Sequence, residues 1–340
     1  MSDFSLSIIG WYRQNKRDLP WRNTKDPYLI WLSEIILQQT RVEQGTSYYL
    51  KFKKNYPKVA DLANARELDV LNDWQGLGYY SRARNLHHSA KYIHETLNGE
   101  FPKQYSDIIN LKGIGKYTAA AISSFAFNEV QAVVDGNVYR LLSRVFDIDL
   151  AIDSGKGQKY FQELANELIN QKEPGTHNQA IMEVGSKVCS PKAPSCEICP
   201  LNDICLAVKN NTIAQRPVKT KKIKITNRFF HYLVFHFDDK TFIEKRDQKG
   251  IWQNLYQFPL IETCKETSEE ERIIWNEQQF ESAPIRHVLS HQKIDVVFHH
   301  INHSPKTTQN NWKEINLNAI QEFPIPRIID KYLEEHPQFF

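Results

Sequence analysis

The feature that most constrains this chain is a group of four cysteines close together in the sequence. They are separated by six, two and five residues, and they are Cys189, Cys196, Cys199 and Cys205. Zinc sites usually combine two short Cys-x-x-Cys or His-containing pairs, and only one such pair is present here. Four thiolates from one loop can instead hold the irons of an iron–sulfur cube. The spacing therefore favours a 4Fe–4S cluster over structural zinc or unligated cysteines.

Length and composition place the chain among ordinary globular proteins. Its 340 residues suggest about two domains. Hydrophobic residues make up 41% and charged residues 24%, which excludes disordered, collagen-like and disulfide-miniprotein classes. The sequence has neither an apolar run of about 18 residues nor a signal-peptide start, which predicts a cytoplasmic protein. The net charge of +3 is the sum of +7 over residues 1–224 and −4 over residues 225–340, and the basic first part is compatible with a polyanionic partner.

The sequence predicts a helical domain followed by a mixed α+β domain. Apolar residues recur at three- and four-residue intervals from Phe4 to about Leu206. A polar, basic stretch without apolar periodicity follows and is typical of a linker. Beyond it, the patterns predict strands at 228–237, 241–245 and 287–299 and helices at 268–280 and 327–335. The predicted divisions are a helical domain at 1–207, a linker at 208–227 and a second domain at 228–340.

A glycine-containing turn lies between two helical patterns, from Leu111 to Lys116. Gly113 and Gly115 permit a tight turn with exposed backbone N–H groups at the start of the next helix, which is suited to binding a phosphate. Lys112 and Lys116 add positive charge. By itself the motif fits a simple turn between helices equally well.

Two carboxylates are candidates for acid–base chemistry. Glu34 lies in the strongly apolar stretch 31–40, where desolvation would raise its pKa and keep it protonated as a general acid. The alternative is a solvent-facing glutamate on an amphipathic helix. Asp135 precedes a helical pattern that runs to about Phe146 and could cap that helix, whose N-terminus would also favour an ionised carboxylate.

Together these motifs carry a resemblance to a known family. The cysteine group and the glycine turn resemble those of the helix-hairpin-helix DNA glycosylases of the endonuclease III superfamily. The stretch around Glu34 closely resembles the motif around the catalytic glutamate of the MutY-type adenine DNA glycosylases. The resemblance implies a mainly α helix-hairpin-helix domain with an iron–sulfur cluster loop, followed by an α+β NUDIX-like domain.

The resemblance also implies roles for individual residues. Glu34 would protonate N7 of adenine and Asp135 would stabilise the cationic sugar, supported by Tyr117 and Asn137. Gln39 and Tyr79 match positions that wedge into the duplex. The expected DNA contacts are Leu37, Gln38, Gln39, Thr40, Tyr79, Leu111, Gly113, Gly115 and Lys116.

Tyr117 separates two branches of the superfamily. Bifunctional members place at this position a lysine that attacks the sugar through a Schiff base. Here the nearest lysine is Lys116, and a shift of one helical position rotates a side chain by about 100°. The sequence therefore does not favour lyase chemistry.

The second domain has features of a lesion reader. The stretch 250–259 resembles the Gly-x-Trp to Phe-Pro segment of NUDIX-like folds, and residues 269–272 lack the spacing of a NUDIX hydrolase box. In the MutY-type family this domain reads 8-oxoguanine through a Phe-Ser-His loop. The equivalent here is Leu289-Ser290-His291, where leucine cannot stack as an aromatic ring does, while Ser290 still offers a hydrogen bond.

The sequence predicts a monofunctional DNA glycosylase of base excision repair that releases adenine mispaired with 8-oxoguanine or guanine. We expect the protein to bind double-stranded DNA as a monomer. Its expected location is the cytoplasm, at the bacterial nucleoid, and no membrane partner is expected. Two alternatives stay open. One is an endonuclease III-like bifunctional glycosylase and AP lyase, and the other is a non-catalytic iron–sulfur DNA-binding module.

Overall fold

The computed structural model of the protein describes residues 2–220, 225–263, 280–289, 291–305 and 308–340. The chain forms two compact units, Met1–Asn64 with Asn85–Lys221 and Ala65–Arg84 with Lys222–Phe340. The first unit is helical, and the second combines β-sheets with helices. Among the described residues, none of the helices has the length and hydropathy needed to cross a bilayer.

Helices dominate the chain as far as residue 209. In chain order they are α1 (Ser2–Asn15), α2 (Pro27–Ile36), α3 (Val42–Asn55), α4 (Val59–Asn64), α5 (Glu67–Asp73), α6 (Ser81–Glu95), α7 (Tyr105–Ile108), α8 (Lys116–Phe127), α9 (Gly136–Val145), α10 (Gly155–Leu168), α11 (Pro174–Lys187) and α12 (Leu206–Lys209). Short 3-10 helices lie at Pro20–Arg22, Cys196–Ile198, Asn202–Ile204 and Ile213–Gln215.

The core of the first unit is built around α2 and α8. Asp26 caps α2 by accepting a 2.9 Å hydrogen bond from the Tyr28 backbone, and Pro27 occupies the first helical turn. Every residue from Tyr28 to Ile36 is buried. Helix α8 packs against α2 and is buried from Thr118 to Phe125. Because these stretches lie inside the unit, Glu34 on α2 and Thr118 on α8 are buried polar side chains.

The predicted glycine turn joins α7 to α8 as a helical hairpin. Gly113 has a φ of 84°, and a Cβ there would lie 2.5 Å from Cβ of Asn85, so only glycine fits. Leu111 and Ile114 are buried and anchor the turn, while Lys116 is exposed at the start of α8. The described structure thus confirms the predicted helix-hairpin-helix element.

The second unit contains two sheets and a C-terminal helix. The strands are β1 (Thr226–Phe235), β2 (Lys240–Lys245), β3 (Tyr256–Gln257), β4 (Leu260–Thr263), β5 (Phe280–Glu281), β6 (Ile285–Val288), β7 (Gln292–Ile301) and β8 (Trp312–Asn316), and helix α13 spans Arg327–Glu335. One sheet has the order β4-β1-β7-β5, with β6 also paired to β7, and the other has the order β3-β2-β8. The parallel pair β1 and β7 forms the centre of the larger sheet.

Aromatic side chains fill the core of this unit. Phe298 on β7 and Tyr332 on α13 are fully buried, and their rings stack with centroids 3.7 Å apart. The segment Ala65–Arg84 belongs to the same unit, where the Tyr80 hydroxyl donates to the Ile325 carbonyl at 3.3 Å and Asn72 donates to the Glu322 carbonyl at 2.9 Å.

The structure corrects part of the predicted secondary structure. The predicted strand 287–299 is two antiparallel strands, β6 and β7, because the chain reverses where the Leu289 amide donates to the Gln292 carbonyl. Apolar residues on both sides of this turn hid the reversal. The predicted helix 327–335 coincides with α13, whereas 268–279 lies outside the described residues.

Residues of the predicted linker also make contacts with the helical unit. Arg216 forms an ion pair with Asp147 at 2.9 Å, and the Val218 carbonyl accepts a bond from the Ile152 amide. An ion pair and a backbone hydrogen bond therefore attach residues 216–218 to the helical unit, although their sequence shows no apolar periodicity.

Candidate active site

The four side chains that the sequence predicts to be catalytic meet at one cavity of the first unit. Glu34, Tyr117, Asp135 and Asn137 line a space of about 280 Å³. They come from α2, from the first turn of α8 and from the start of α9. This volume is just below the range of ligand pockets, which begins at about 300 Å³.

Glu34 is a buried acid. Only 9% of the residue is exposed to solvent. Burial raises the pKa of Glu34 to about 7, and the nearby charge of Asp135 adds to that effect, while a hydrogen bond from Tyr117 and the charge of Arg22 oppose it. The carboxyl group therefore carries a proton in a large fraction of molecules at neutral pH.

Asp135 is half-buried, and it is surrounded by donors. As the N-cap of α9 it accepts bonds from the backbones of Asn137 and Val138, at 2.9 and 2.8 Å, and from the Asn137 side chain at 2.8 Å. Burial raises the pKa of Asp135 above its ordinary value, and these three bonds with the charge of Arg140 work against the increase. Because both carboxylate oxygens accept hydrogen bonds, the site favours the ionised form far more than a bare buried carboxyl would.

Tyr117 and Lys116 are adjacent in sequence and differ in location. The Tyr117 hydroxyl hydrogen bonds with Glu34 and lies 3.3 Å from Sδ of Met182. Burial and the neighbouring carboxylates raise the pKa of Tyr117 well above its ordinary value, so the phenol stays neutral. Lys116 is exposed and does not line the cavity. The position that would carry a lyase nucleophile therefore holds a neutral phenol.

Arg140 connects this site to the cysteine loop. Its guanidinium donates to Oδ1 of Asn137 at 2.8 Å, to the Gly185 carbonyl at 2.6 Å and to the Cys189 carbonyl at 2.7 Å. The same buried side chain thus orients Asn137 and fixes the backbone at the start of the cysteine loop.

The four cysteines line a single pocket of the first unit, between the end of α11 and the start of α12. Arg144 lies 3.4 Å from Sγ of Cys189, backbone amides of Ala207 and Val208 face Cys205, and the amide of Leu201 faces Cys199. Burial raises the pKa of the Cys199 thiol to about 11. In the described ranges, no three His, Cys, Asp or Glu side chains are gathered as around one metal ion.

These surroundings fit a thiolate-bound group. N–H donors and a guanidinium stabilise anionic sulfur, and four thiolates are the donor set of an iron–sulfur cube. The donors would be Cys189, Cys196, Cys199 and Cys205.

The predicted wedge residues both have strained backbones. Gln39, after α2, has a φ of 57°, and Tyr79 has a φ of 49° with its side chain 49% exposed. Non-glycine residues in this region are uncommon and are concentrated at functional sites. Leu37 and Thr40 lie at the edge of the cavity, and Gln38 donates to Thr118 at 3.3 Å.

The predicted lesion-reading loop lies at a cavity of the second unit. Leu289 and His291 line this space of about 560 Å³ together with Tyr79. The other lining residues are Gly76, Leu77, Gly78, Tyr80, Ser81, Arg84, Gly250, Ile251, Trp252, Gln253, His287, Val288, Gln292 and Arg327. Ser290, like the acidic residues at 269–272, lies outside the described residues.

Sequence reasoning missed a polar wall of the catalytic cavity. This wall contains Arg17 and Arg22 together with one face of α11, formed by Gln179, Met182, Glu183 and Ser186. The spacing of the four α11 residues is that of one helical face, which was the available signal. Their polar character resembled that of a solvated surface.

Comparison with known proteins matches each of the two parts of the chain to a family model. Residues 32–171 match the model of the HhH-GPD superfamily base excision DNA repair proteins, and residues 231–335 match the NUDIX domain. The adenine DNA glycosylase of Buchnera aphidicola subsp. Acyrthosiphon pisum is 33% identical over 97% of both chains. The chain belongs to the adenine DNA glycosylase family. The family protein from Buchnera aphidicola subsp. Baizongia pistaciae is 39% identical over 75% of this chain and 73% of its own.

A solved structure supports the fold of this family member. The structure of a thermostable thymine-DNA glycosylase covers 61% of this chain and 95% of its own, with 29% identity and a TM-score of 0.57. The predicted MutY-type family, the fold class and the enzyme class, a hydrolase of N-glycosyl bonds, are confirmed. The non-catalytic alternative is disfavoured, because the relatives named above are glycosylases.

The cap formed by Asp135 leads to a stability prediction. Asp135→Ala removes the acceptor for two backbone donors and should lower the free energy of unfolding by about 1 kcal/mol, whereas Asp135→Asn keeps an acceptor and should cost much less. Urea unfolding monitored by circular dichroism measures both. Ser154→Ala at the start of α10, where Ser154 accepts a bond from Gly157, is the matched control and should resemble Asp135→Ala. Equal losses for the Asn and Ala variants would contradict the capping role.

Proposed function

We propose that the protein is a monofunctional adenine DNA glycosylase that removes adenine paired with 8-oxoguanine or guanine. The observation that carries this proposal is the cavity that brings together Glu34, whose pKa burial raises to about 7, and Asp135, whose two oxygens accept hydrogen bonds. A neutral acid and a stabilised anion are the two groups that cleavage of an N-glycosidic bond requires.

In the proposed mechanism Glu34 donates its proton to N7 of the extruded adenine. Protonation makes the base a better leaving group, and the C1′–N9 bonding pair departs with it. The Asp135 carboxylate stabilises the positive charge that develops on the sugar, and the dipoles of Tyr117 and Asn137 support the same transition state. Water then adds to C1′ and loses a proton, which completes hydrolysis.

The absence of a lysine from the described cavity lining favours hydrolysis over Schiff-base chemistry. The bifunctional alternative requires an amine that can attack C1′, and Lys116 is exposed outside this cavity. The proposed enzyme therefore leaves an intact abasic strand.

We propose that DNA is held by the hairpin and by the two strained turns. The backbone at Leu111, Gly113, Gly115 and Lys116 would contact phosphates, which position the enzyme without reading sequence. Gln39 and Tyr79 would each insert into the duplex and offset the unstacking of the extruded nucleotide, and Leu37, Gln38 and Thr40 would contact the DNA beside Gln39. Double-stranded DNA is then the partner, bound by a monomer.

Glu34→Gln tests the acid directly. Glutamine keeps the shape of the side chain but cannot donate an acidic proton, so single-turnover adenine release should slow by about 10²- to 10⁴-fold. Binding to an adenine:8-oxoguanine duplex should be retained. Glu167→Gln on the exposed side of α10 is the control and should behave as the unmodified enzyme. Normal release by Glu34→Gln would remove Glu34 from the role of acid.

The cavity of the second unit supports the proposed reading of the opposite base. Tyr79 and the residues flanking Ser290 line one space, although they are far apart in sequence. Leu289 also packs against the core of its unit, which fixes the base of the loop. We propose that the domain at 228–340 reads 8-oxoguanine through Ser290, that 1–207 is the glycosylase domain, and that 208–227 connects the two.

Ser290→Ala tests this reading. Loss of one hydrogen bond to the oxidised base should reduce the preference for 8-oxoguanine over guanine opposite adenine by about fivefold. The ratio of single-turnover rate constants on the two duplexes measures the effect, with Ser304→Ala at an exposed position as the control. An unchanged ratio would remove Ser290 from lesion reading.

We also propose that the four cysteines hold a 4Fe–4S cluster, which would cross-link the loop that presents Lys192. Purified protein should contain about four irons per chain and absorb near the visible edge. Cys199→Ser should lose both properties, and Cys264→Ser should keep them. Stoichiometric zinc without iron would overturn this assignment.

A further inference from the structure

A second buried carboxylate lies in the wall of the catalytic cavity. Glu183, on α11, lines the same space as Glu34, and its side chain is 1% exposed. The proposed mechanism gives it no role. An ionised carboxylate in a protein interior is costly unless it is paired. The groups that contact Glu183 therefore determine whether it is charged and which side chains it orients.

Two arginines surround this carboxylate. Arg17 donates its backbone N–H and Nε to Oε1 at 3.1 and 2.8 Å, and its Nη2 to Oε2 at 2.7 Å. Arg22 donates Nη2 to Oε2 at 2.6 Å. Burial alone would raise the pKa of Glu183, but the hydrogen bonds from Arg17 and Arg22 lower it to about 2. Glu183 is therefore ionised at neutral pH.

The guanidiniums have little freedom to leave this position. Arg22 also donates to the Arg17 carbonyl at 3.1 Å and lies 5.4 Å from the centre of the Tyr12 ring. The Tyr12 hydroxyl in turn donates to Oε1 of Gln179 at 2.5 Å. Glu183 is the acceptor that both arginines share, so its removal would take hydrogen bonds from both and leave their positive charges without a counter-charge.

The Arg22–Glu183 ion pair also affects the protonation of Glu34. The charged and titratable groups that bear on Glu34 are Tyr117 on α8, Asp135 at the start of α9 and Arg22 in the 3-10 helix before α2. Arg22 favours the ionised form of Glu34, and the charge of Glu183 reduces the net positive charge of the arginine pair. Without Glu183, an uncompensated Arg22 would pull Glu34 further toward its charged form.

We propose that Glu183 is a positioning residue of the excision reaction, which fixes the guanidiniums of Arg17 and Arg22 in the cavity wall and offsets their charge against Glu34. The inference rests on the proposed function, in which Glu34 must be protonated to act. The rate of base release falls as Glu34 ionises, so the alkaline limb of the pH–rate profile reports the state of this acid.

The test is the pH dependence of single-turnover adenine release from an adenine:8-oxoguanine duplex. In Glu183→Gln the alkaline limb should move to lower pH by about one unit, so that release at pH 8 slows by about tenfold. Glu183→Asp keeps the charge and should restore the limb. A folded Glu183→Gln that is slower at every pH with an unmoved limb would overturn the proposal.

A second pair of variants covers the case in which Glu183→Gln does not fold. Arg17→Met leaves Glu183 paired with Arg22, and Arg17→Met combined with Glu183→Gln differs from it only in the Glu183 charge. The limb of the double variant should lie at lower pH than that of Arg17→Met, and coincident limbs would overturn the proposal. The activity of the unmodified enzyme distinguishes a failure of the proposed function from a failure of this inference. If the unmodified enzyme does not release adenine, both are wrong. If it releases adenine but the limbs coincide, only the role of Glu183 is wrong.

Discussion

The desolvation of one carboxyl group underlies the chemistry of this molecule. Helix α2 is buried from Tyr28 to Ile36, and Glu34 is placed within that buried stretch. Removing a carboxylate from water penalises its charged form, so the same packing that stabilises α2 also keeps a proton on Glu34 near neutral pH. The cost of burying this polar group is reduced by its hydrogen bond with Tyr117. Fold stability and acid strength are therefore two results of one placement.

The neighbouring carboxylate shows how local structure opposes that effect. Asp135 is half-buried and stands at the N-terminus of α9, where the first backbone N–H groups have no partner within the helix. Three donors face its two oxygens. Hydrogen bonds to a carboxylate stabilise its charge, whereas an apolar helix face does not. The two acids of one cavity therefore differ in their surroundings, because burial raises the pKa of Glu34 in an apolar helix, whereas the hydrogen bonds to Asp135 oppose the same rise.

Local sequence patterns predicted those parts of the fold that depend on local physics. Helix α13 matched its predicted range, since its apolar spacing is regular, and the hairpin at Gly113 followed from a backbone position that only glycine can occupy. The strand predicted at 287–299 failed because apolar alternation continued through a chain reversal.

Long-range contacts explain what the sequence could not predict. Arg17 and Glu183 are 166 residues apart, so no period or motif connects them, and only folding makes them a buried pair. The packing of Ala65–Arg84 with the β-sheet unit is a contact of the same kind. For Glu34, by contrast, the apolar stretch around it suggested a raised pKa but left a solvent-facing glutamate open, and the structure shows that the side chain is buried.

Titration of Glu34 itself tests most directly whether burial keeps this carboxyl group protonated near neutral pH. Carbon-13 NMR of protein labelled at glutamate side-chain carboxyls, with the resonance assigned by its loss in Glu34→Gln, gives the pKa without any substrate. The account predicts a midpoint near the value of about 7 that burial produces. A midpoint close to the ordinary value of 4.5 would contradict it, because Glu34 would then hold no proton to donate at neutral pH.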